Sequence, residues 1–118
     1  MVIMVSGSRT ADHLERGERE ACCSSYHRAV ELVGKRWTGA ILIVLMDGPA
    51  RFTEVKHLVP DLSDRLLSER MKELEAEGIV TRRVIDDMPV RVEYSLTVKG
   101  EALQPAVTAL KAWAQSWL

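Results

Sequence analysis

The sequence lacks an excess of basic residues and a long apolar run. Its 16 Lys and Arg residues are balanced by 17 Asp and Glu residues, which gives a net charge of -1 at pH 7. This balance excludes a histone-like DNA wrapper and a polybasic membrane binder. The longest apolar run, Ala40 to Met46, is far shorter than the roughly 18 residues of a membrane span. Because Met1 to Val5 is also too short for a secretion signal, we expect a cytoplasmic protein with no membrane partner.

Cysteines are scarce, and the two that occur, Cys22 and Cys23, are adjacent. Neighbouring cysteines form a disulfide only through a strained ring, so we expect no disulfide within one chain. This usage is typical of a reducing compartment, where a thiol serves either as a small apolar side chain or for its reactivity.

Common enzyme signatures are absent as well. The chain contains no phosphate-binding loop, glycine-rich dinucleotide turn, HExxH motif or serine nucleophile elbow. We therefore predict that the protein is not an enzyme and that it needs no cofactor and no metal.

The 118 residues are enough for one domain. Near the start, Ser6 to Ser8 shows no periodicity and Asp12 to Glu20 is mostly charged. We expect residues 1–21 to form a flexible polar leader and residues 22–118 to form the folded domain.

Capping residues and helix breakers divide the domain into five helices and one hairpin. Ser24 can begin a first helix that Gly34 ends, and Thr38 can cap a second, apolar helix that we expect to be buried. Further helices are predicted over 52–59, from Ser63 to about 77, and from Thr97 onward. Alternating apolar and polar residues predict strands over 79–85 and 90–97. This order is typical of a winged helix-turn-helix, an α+β fold that is mostly α, in which the hairpin is the wing.

Several short motifs follow one another in a fixed order along the chain. They are Gly34-Lys35-Arg36-Trp37, Asp47-Gly48-Pro49, Arg51-Phe52, the segments Leu67 to Leu74 and Glu77 to Val80, the segment Pro89 to Thr97, Gly100 and Trp113. With them, the chain from Cys23 onward resembles the HxlR-type transcription regulators, winged helix-turn-helix relatives of the MarR group. The resemblance implies a homodimer, built from its N- and C-terminal helices, that binds double-stranded operator DNA, usually as a repressor.

The helix over 63–77 is the predicted recognition helix. Its polar side carries an Arg that can read guanine, a Ser that can contact a base or a phosphate, and a Lys that supplies charge. Glu69 fits a phosphate surface poorly, and we expect it to pair with Lys72 or Arg65. An ordinary solvated helix face is the alternative interpretation. The predicted DNA-binding residues, including those of the wing, are Arg51, Thr53, Ser63, Arg65, Ser68, Lys72, Arg82, Arg83 and Arg91.

Two features restrict how these residues meet DNA. Residues 51–99 contain nine basic and ten acidic side chains, so binding depends on how the charges are distributed between faces. Strand alternation allows only one of Arg82 and Arg83 to face the DNA, and Asp86-Asp87 argues against entry of the wing tip into a groove.

The resemblance also implies a role for Cys23. Family members with a Cys just before the first helix include sensors of oxidants, quinones and other thiol-reactive electrophiles, and Cys23 stands at that position. The Pro that usually follows is Ser24 here, and the second Cys that some sensors carry near the C-terminus is missing. A helix N-terminus favours a thiolate, which marks Cys23 as the more reactive of the two thiols. The resemblance then implies that Cys23 is redox-sensing, with an oxidant or a quinone as effector, and we expect that Cys22 resolves it or pairs across the dimer.

Other interpretations of the cysteines stay open at this point. Both thiols can be apolar filler at a dimer seam. In a metal sensor, Cys22 and Cys23 would bind the ion together with His13 or His27, although adjacent cysteines suit a tetrahedral site poorly. A repressor that responds to a small ligand without thiol switching is a further alternative.

The final helix carries an apolar stripe with two Trp side chains. So small a domain has little core left to cover them, so we predict a dimer interface. A twofold dimer would present two recognition helices about 34 Å apart to a pseudo-palindromic operator. The predicted interface residues are Leu103, Val107, Leu110, Trp113 and Trp117.

Overall fold

A computed structural model describes residues 23–118 of the chain. The polar leader expected over residues 1–21, and Cys22 after it, lie outside the described residues. Contacts divide the chain into two compact units, with the boundary after Leu32. In chain order the elements are α1 Ser24–Val33, α2 Thr38–Met46, β1 Ala50–Arg51, α3 Phe52–Leu58, α4 Asp64–Ala76, β2 Val80–Ile85, β3 Arg91–Leu96, α5 Val98–Glu101 and α6 Gln104–Trp117.

The first helix, α1, has the bounds that its capping signals predict, since it begins at Ser24 and ends directly before Gly34. The Cys23 carbonyl accepts a hydrogen bond from the His27 N–H at 3.0 Å, so Cys23 occupies the position that precedes the first turn. No residue of α1 is buried. Its apolar side chains Tyr26 and Val30 are therefore exposed.

The prediction that α2 lies at the centre of the core is confirmed, because Ile41, Leu42 and Leu45 are all buried. The predicted cap is wrong. Thr38 is the first residue of the helix and is itself buried, and the residue before it, Trp37, adopts a left-handed backbone with φ 77°. Neither α2 nor any other helix within residues 23–118 is long and apolar enough to span a membrane.

The predicted helix-turn-helix pair consists of α3 and α4. Ser63 caps α4 as expected, and its Oγ accepts a hydrogen bond from the Leu66 N–H at 3.1 Å. The cap satisfies one of the backbone donors that the first turn leaves without a helical partner. One side of α4 is buried through Leu67, Met71 and Leu74.

At its C-terminal end, α4 turns into the wing through Gly78. The Gly78 N–H donates to the Glu75 carbonyl at 3.0 Å, and the Ile79 N–H donates to the Leu74 carbonyl at 2.9 Å. This pair of bonds is a Schellman motif, which needs a left-handed residue. Gly78 supplies it at φ 75°, without the steric cost that a Cβ would add.

The wing belongs to a three-stranded antiparallel sheet with the order β1-β3-β2. Its hairpin pairs Val80 with Leu96 at one end and Ile85 with Arg91 at the other, within the predicted strands. The third strand, β1, pairs with β3 and was not predicted. A strand of two residues is too short to show the alternation on which such a prediction depends.

The final helix differs from its prediction. Thr97 caps only the four-residue α5, and α6 begins afresh at Gln104. Pro105 lies in the first turn of α6, where a missing N–H costs nothing, whereas in the interior of one continuous helix it would remove a hydrogen bond. The chain therefore forms two helices where one was predicted.

A close backbone contact joins the start of α5 to Ile79, directly before β2. The Thr97 N–H donates to the Ile79 carbonyl at 2.9 Å, and the Thr97 Oγ1 accepts from the Gly100 N–H at 3.1 Å. A Cβ added at Gly100 would lie 2.2 Å from the Ile79 oxygen. Only a glycine fits at this position without displacing the backbone.

Replacement of Gly100 by Ala is expected to lower the free energy of unfolding by roughly 1–3 kcal/mol, because the new methyl group overlaps the Ile79 carbonyl. Gly39 is the matched control: nothing lies within 4 Å of its added Cβ, and it stands inside α2. Gly39→Ala is expected to raise stability by about 0.5–1 kcal/mol. Urea unfolding at one fixed protein concentration measures both; equal stability of Gly100→Ala and the parent would contradict the close approach.

Candidate DNA-binding surface and thiol site

The outward side of α4 carries a strip of polar side chains. The Arg65 side chain is 90% exposed, and its Nε lies 3.3 Å from Glu69 Oε2. Of the two partners expected for Glu69, the structure therefore selects Arg65. Ser68 is half-buried and Lys72 is exposed. Because residues three and four positions apart share one side of a helix, these residues form a continuous strip opposite the buried side.

Three other predicted DNA-binding residues lie where α3 and α4 begin. The Arg51 N–H donates to Glu54 Oε1 at 2.9 Å, and Arg51 Nε lies 3.6 Å from the same oxygen. Thr53 is exposed in the first turn of α3. Ser63 Oγ accepts a hydrogen bond from the Leu66 N–H. Its hydroxyl hydrogen can still be donated to another acceptor, such as a phosphate oxygen.

The strand register separates the predicted wing residues into two faces. Arg83 lies opposite Glu93, and Glu93 lies opposite Arg51 on its other side, so these three side chains share one face of the sheet. Arg82 lies opposite Tyr94 on the other face. The alternation expected for Arg82 and Arg83 is confirmed, and both residues are exposed.

The Arg91 side chain forms an ion pair with Asp87 in the same hairpin. Its Nη2 lies 2.9 Å from Asp87 Oδ2, and its Nε is buried without a hydrogen-bond partner. The Asp87 carboxylate therefore offsets much of the positive charge that Arg91 would contribute to the wing surface.

A group of charged residues that the DNA-binding prediction omits links α4 to the turn at residues 34–37. Arg70 Nε donates to the Arg36 carbonyl at 3.1 Å, and Arg70 Nη1 lies 3.3 Å from Glu73 Oε2. Lys35 Nζ lies 3.0 Å from the same carboxylate oxygen. We call Lys35, Arg36, Arg70 and Glu73 the turn network. The sequence feature that indicates the turn network is the position of Arg70 toward the apolar side of α4, where a charged side chain needs polar partners.

The thiol of Cys23 is exposed at the beginning of α1. The backbone N–H groups of Tyr26 and Ser25 hold the pKa of this thiol below its usual value, because they hydrogen-bond to the thiolate. The Ser25 side chain acts in the same direction. A thiol with this environment is more nucleophilic near neutral pH than an ordinary cysteine, since a larger fraction is thiolate.

Only two of the four residues considered as metal ligands lie within the described part of the chain. Cys22 and His13 lie outside the described residues, whereas Cys23 and His27 lie inside them. Within residues 23–118, no three His, Cys, Asp or Glu side chains are grouped so as to hold a metal ion.

The C-terminal helix α6 leaves large apolar side chains exposed. Trp113 and Trp117 are 52% and 74% exposed, and Leu110 is exposed beside them. Leu103 is half-buried at the N-terminal end of the helix. Val107 differs from its prediction as an interface residue: at 7% exposure it belongs to the core of its own chain.

Comparison with known proteins agrees with this architecture. The model of the HxlR-like helix-turn-helix matches residues 32–118. The chain belongs to the HxlR-like helix-turn-helix family. It is therefore a transcription regulator with a DNA-binding helix-turn-helix, and the predicted winged helix-turn-helix fold is confirmed.

Among its relatives is the HTH-type transcriptional regulator YvaP of Bacillus subtilis, with 48% identity over 81% of this chain and 89% of YvaP. YodB of the same organism is 47% identical over 80% of this chain and 85% of YodB. The crystal structure of quinone-bound YodB, at 45% identity, matches with a TM-score of 0.71 over 81% of this chain and 100% of that chain. The structure of the redox regulator HypR in its oxidised form, at 37% identity, matches with a TM-score of 0.74 over 78% of this chain and 95% of that chain.

For this HxlR-like regulator, the rate of alkylation of Cys23 by iodoacetamide is expected to rise with pH around a midpoint below that of an ordinary cysteine. The reason is that backbone donors stabilise the thiolate only in the folded chain. The rate is measured on a Cys22→Ser variant, so that a single thiol reacts, in native buffer and in urea. A native midpoint equal to or above the unfolded one would contradict the geometry at α1.

Proposed function

We propose that this HxlR-like regulator is a homodimeric repressor that binds a pseudo-palindromic operator and releases it when an oxidant or a quinone modifies Cys23. One observation carries the proposal: Cys23 is exposed at the beginning of α1, where backbone N–H groups favour its thiolate. The likeness to YodB, which has been crystallised with a quinone, and to the redox regulator HypR supports it.

In the proposed complex, α4 enters the major groove. The Arg65 guanidinium can donate two hydrogen bonds to O6 and N7 of guanine, and Lys72 supplies charge toward a phosphate. The polar strip is suited to this role because the buried residues of α4 lie on the opposite side. At the wing, we assign phosphate or minor-groove contacts to Arg82 or Arg83 rather than to Arg91, which Asp87 holds.

The proposed dimer uses the exposed apolar side chains of both terminal helices. Tyr26 and Val30 on α1, and Leu110, Trp113 and Trp117 on α6, would lose their contact with water on association. A twofold axis would then present two copies of α4 about 34 Å apart, one to each half of the operator.

Two chemical routes modify the thiol. A quinone accepts the Cys23 thiolate at a ring carbon, which forms a thioether, and the quinone oxygen gains a proton. Diamide takes one hydrogen from each of two thiols, so that a disulfide and a hydrazine result. The first thiol is that of Cys23, and the second is that of Cys22 or that of Cys23 in the second copy. Either product changes the packing at α1, and we propose that it alters the spacing of the two recognition helices.

Arg65→Ala is expected to weaken operator binding by about 1–3 kcal/mol and to relax the preference at one base pair, because a bidentate contact to a base is lost. Lys72→Ala is expected to weaken binding to all duplexes similarly and to reduce the salt slope by about one. Fluorescence anisotropy with operator and scrambled duplexes over a salt series measures both effects.

Lys111→Ala is the control for these variants, because it removes one exposed positive charge from α6 rather than from α4. If Arg65→Ala and Lys111→Ala change operator affinity equally, α4 is not the reading helix.

Cys23→Ser is expected to leave operator binding intact and to abolish its loss on treatment with diamide or a quinone. The experiment is a footprint on the DNA upstream of the protein's own gene, with the protein reduced, then treated, then reduced again. Cys22→Ser is the control, and it should still release DNA when a quinone is added.

The footprint also separates the alternatives. Protection that persists through treatment of the parent protein would refute the thiol switch and would favour a regulator that responds to a metal or a small ligand. Unchanged sensitivity of Cys23→Ser would refute the assignment of the residue. A site without twofold symmetry would refute the proposed dimeric complex.

A further inference from the structure

The turn network connects the motif Gly34-Lys35-Arg36-Trp37 to Arg70 and Glu73, two residues of α4 that DNA binding and thiol chemistry leave unused. Arg36 and Lys35 belong to the turn at residues 34–37, and Arg70 and Glu73 belong to α4. The Arg70 side chain is only 15% exposed, and it contacts both the Arg36 carbonyl and the Glu73 carboxylate. Lys35 approaches that carboxylate with a second positive charge. The network therefore holds the turn against α4.

The chemistry of this contact requires an arginine. One edge of the Arg70 guanidinium donates to a main-chain carbonyl while another nitrogen lies beside a carboxylate, which the planar fork of five donors allows. A lysine carries the same charge at a single nitrogen and does not reproduce both contacts in that arrangement. The contact is therefore directional and not only electrostatic.

The turn itself is strained and depends on its surroundings. Trp37 adopts φ 77°, a backbone region that residues with a Cβ rarely occupy. The Arg36 guanidinium lies 5.0 Å from the centre of the Trp37 ring. Strained backbone of this kind persists only where neighbouring contacts hold it. Arg70 donates a hydrogen bond to the Arg36 carbonyl, directly before Trp37. The conformation of the turn therefore depends on the position of α4.

The connectivity of the chain gives this contact a second consequence. Only Gly34 separates Val33, the last residue of α1, from Lys35 in the turn. Cys23 lies at the other end of α1, a helix of 10 residues and so about 15 Å in length. On α4, the polar strip with Arg65 and Lys72 lies opposite the side that the core buries.

We propose that Arg70 and Glu73 are positioning residues, which fix the recognition helix to the turn at residues 34–37 and so transmit a displacement of α1 to the DNA-reading strip. The transmission rests on the proposed thiol switch, whereas the positioning of α4 does not. Both sites then act on one element, which is the physical requirement for coupling between them.

The test compares Arg70→Met, Arg70→Lys and Glu73→Gln with a matched control, Lys99→Met. Lys99 also carries one positive charge, and it donates to the carbonyl of Glu77, the residue directly after α4, at 2.6 Å. Affinities for operator and scrambled duplexes are measured by anisotropy before and after treatment with benzoquinone. Lys35→Met, at an exposed position, keeps the test decisive if the Arg70 variants fail to fold.

In the parent protein and in Lys99→Met, quinone is expected to lower operator affinity by about 5- to 150-fold, the range of typical coupling between two sites. In the network variants this ratio is expected to fall toward one. Arg70→Lys should resemble Arg70→Met, which a purely electrostatic role would not produce. Network variants that respond to quinone as strongly as the parent would overturn the inference.

A parent protein that does not respond to quinone would refute the proposed thiol switch and leave the positioning role to be decided by the untreated proteins. There the ratio of operator affinity to scrambled-duplex affinity is expected to fall several-fold in both Arg70 variants and to stay unchanged in Lys99→Met. An unchanged ratio in the Arg70 variants would overturn the positioning role as well.

Discussion

Burial of one side of α4 is the interaction on which the rest of the structure depends. Leu67, Met71 and Leu74 enter the core that α2 occupies at its centre, and this leaves the opposite side of the helix polar and exposed. The helix ends before the left-handed Gly78, which turns the chain from the buried side of α4 into the wing. One amphipathic helix therefore defines the core, the candidate DNA-reading strip and the start of the sheet.

A protein without a basic excess must bind DNA through the local distribution of its charges. In this fold many carboxylates are occupied by cations away from the polar strip of α4. Glu73 lies between Arg70 and Lys35, Glu77 lies near Lys99, and Asp87 lies beside Arg91. An exposed pair such as Lys99 and Glu77 contributes little to stability, but each of these cations lowers the negative potential that DNA would meet.

The candidate thiol site and the candidate reading surface follow different physical rules. Cys23 owes its chemistry to its own helix, because backbone N–H groups one turn away stabilise the thiolate. The reading surface instead needs α4 to be oriented by the core and by the turn network. A regulator that joins the two sites must connect a local chemical event to a packed element, and the turn at residues 34–37 lies between them along the chain.

Much of the fold could be predicted from the sequence because its signals are local. The Ser63 cap, the Gly78 turn and the bounds of α1 depend on residues a few positions apart, and the polar strip of α4 follows from helical spacing alone. The restart at α6 was not predicted, although Pro105 is a local signal for it. Other features required the tertiary structure: the left-handed Trp37, the burial of Val107, the strand β1 and the turn network. Each of these depends on groups that are distant in the chain, as Arg36 and Arg70 are, and only packing decides whether such groups meet.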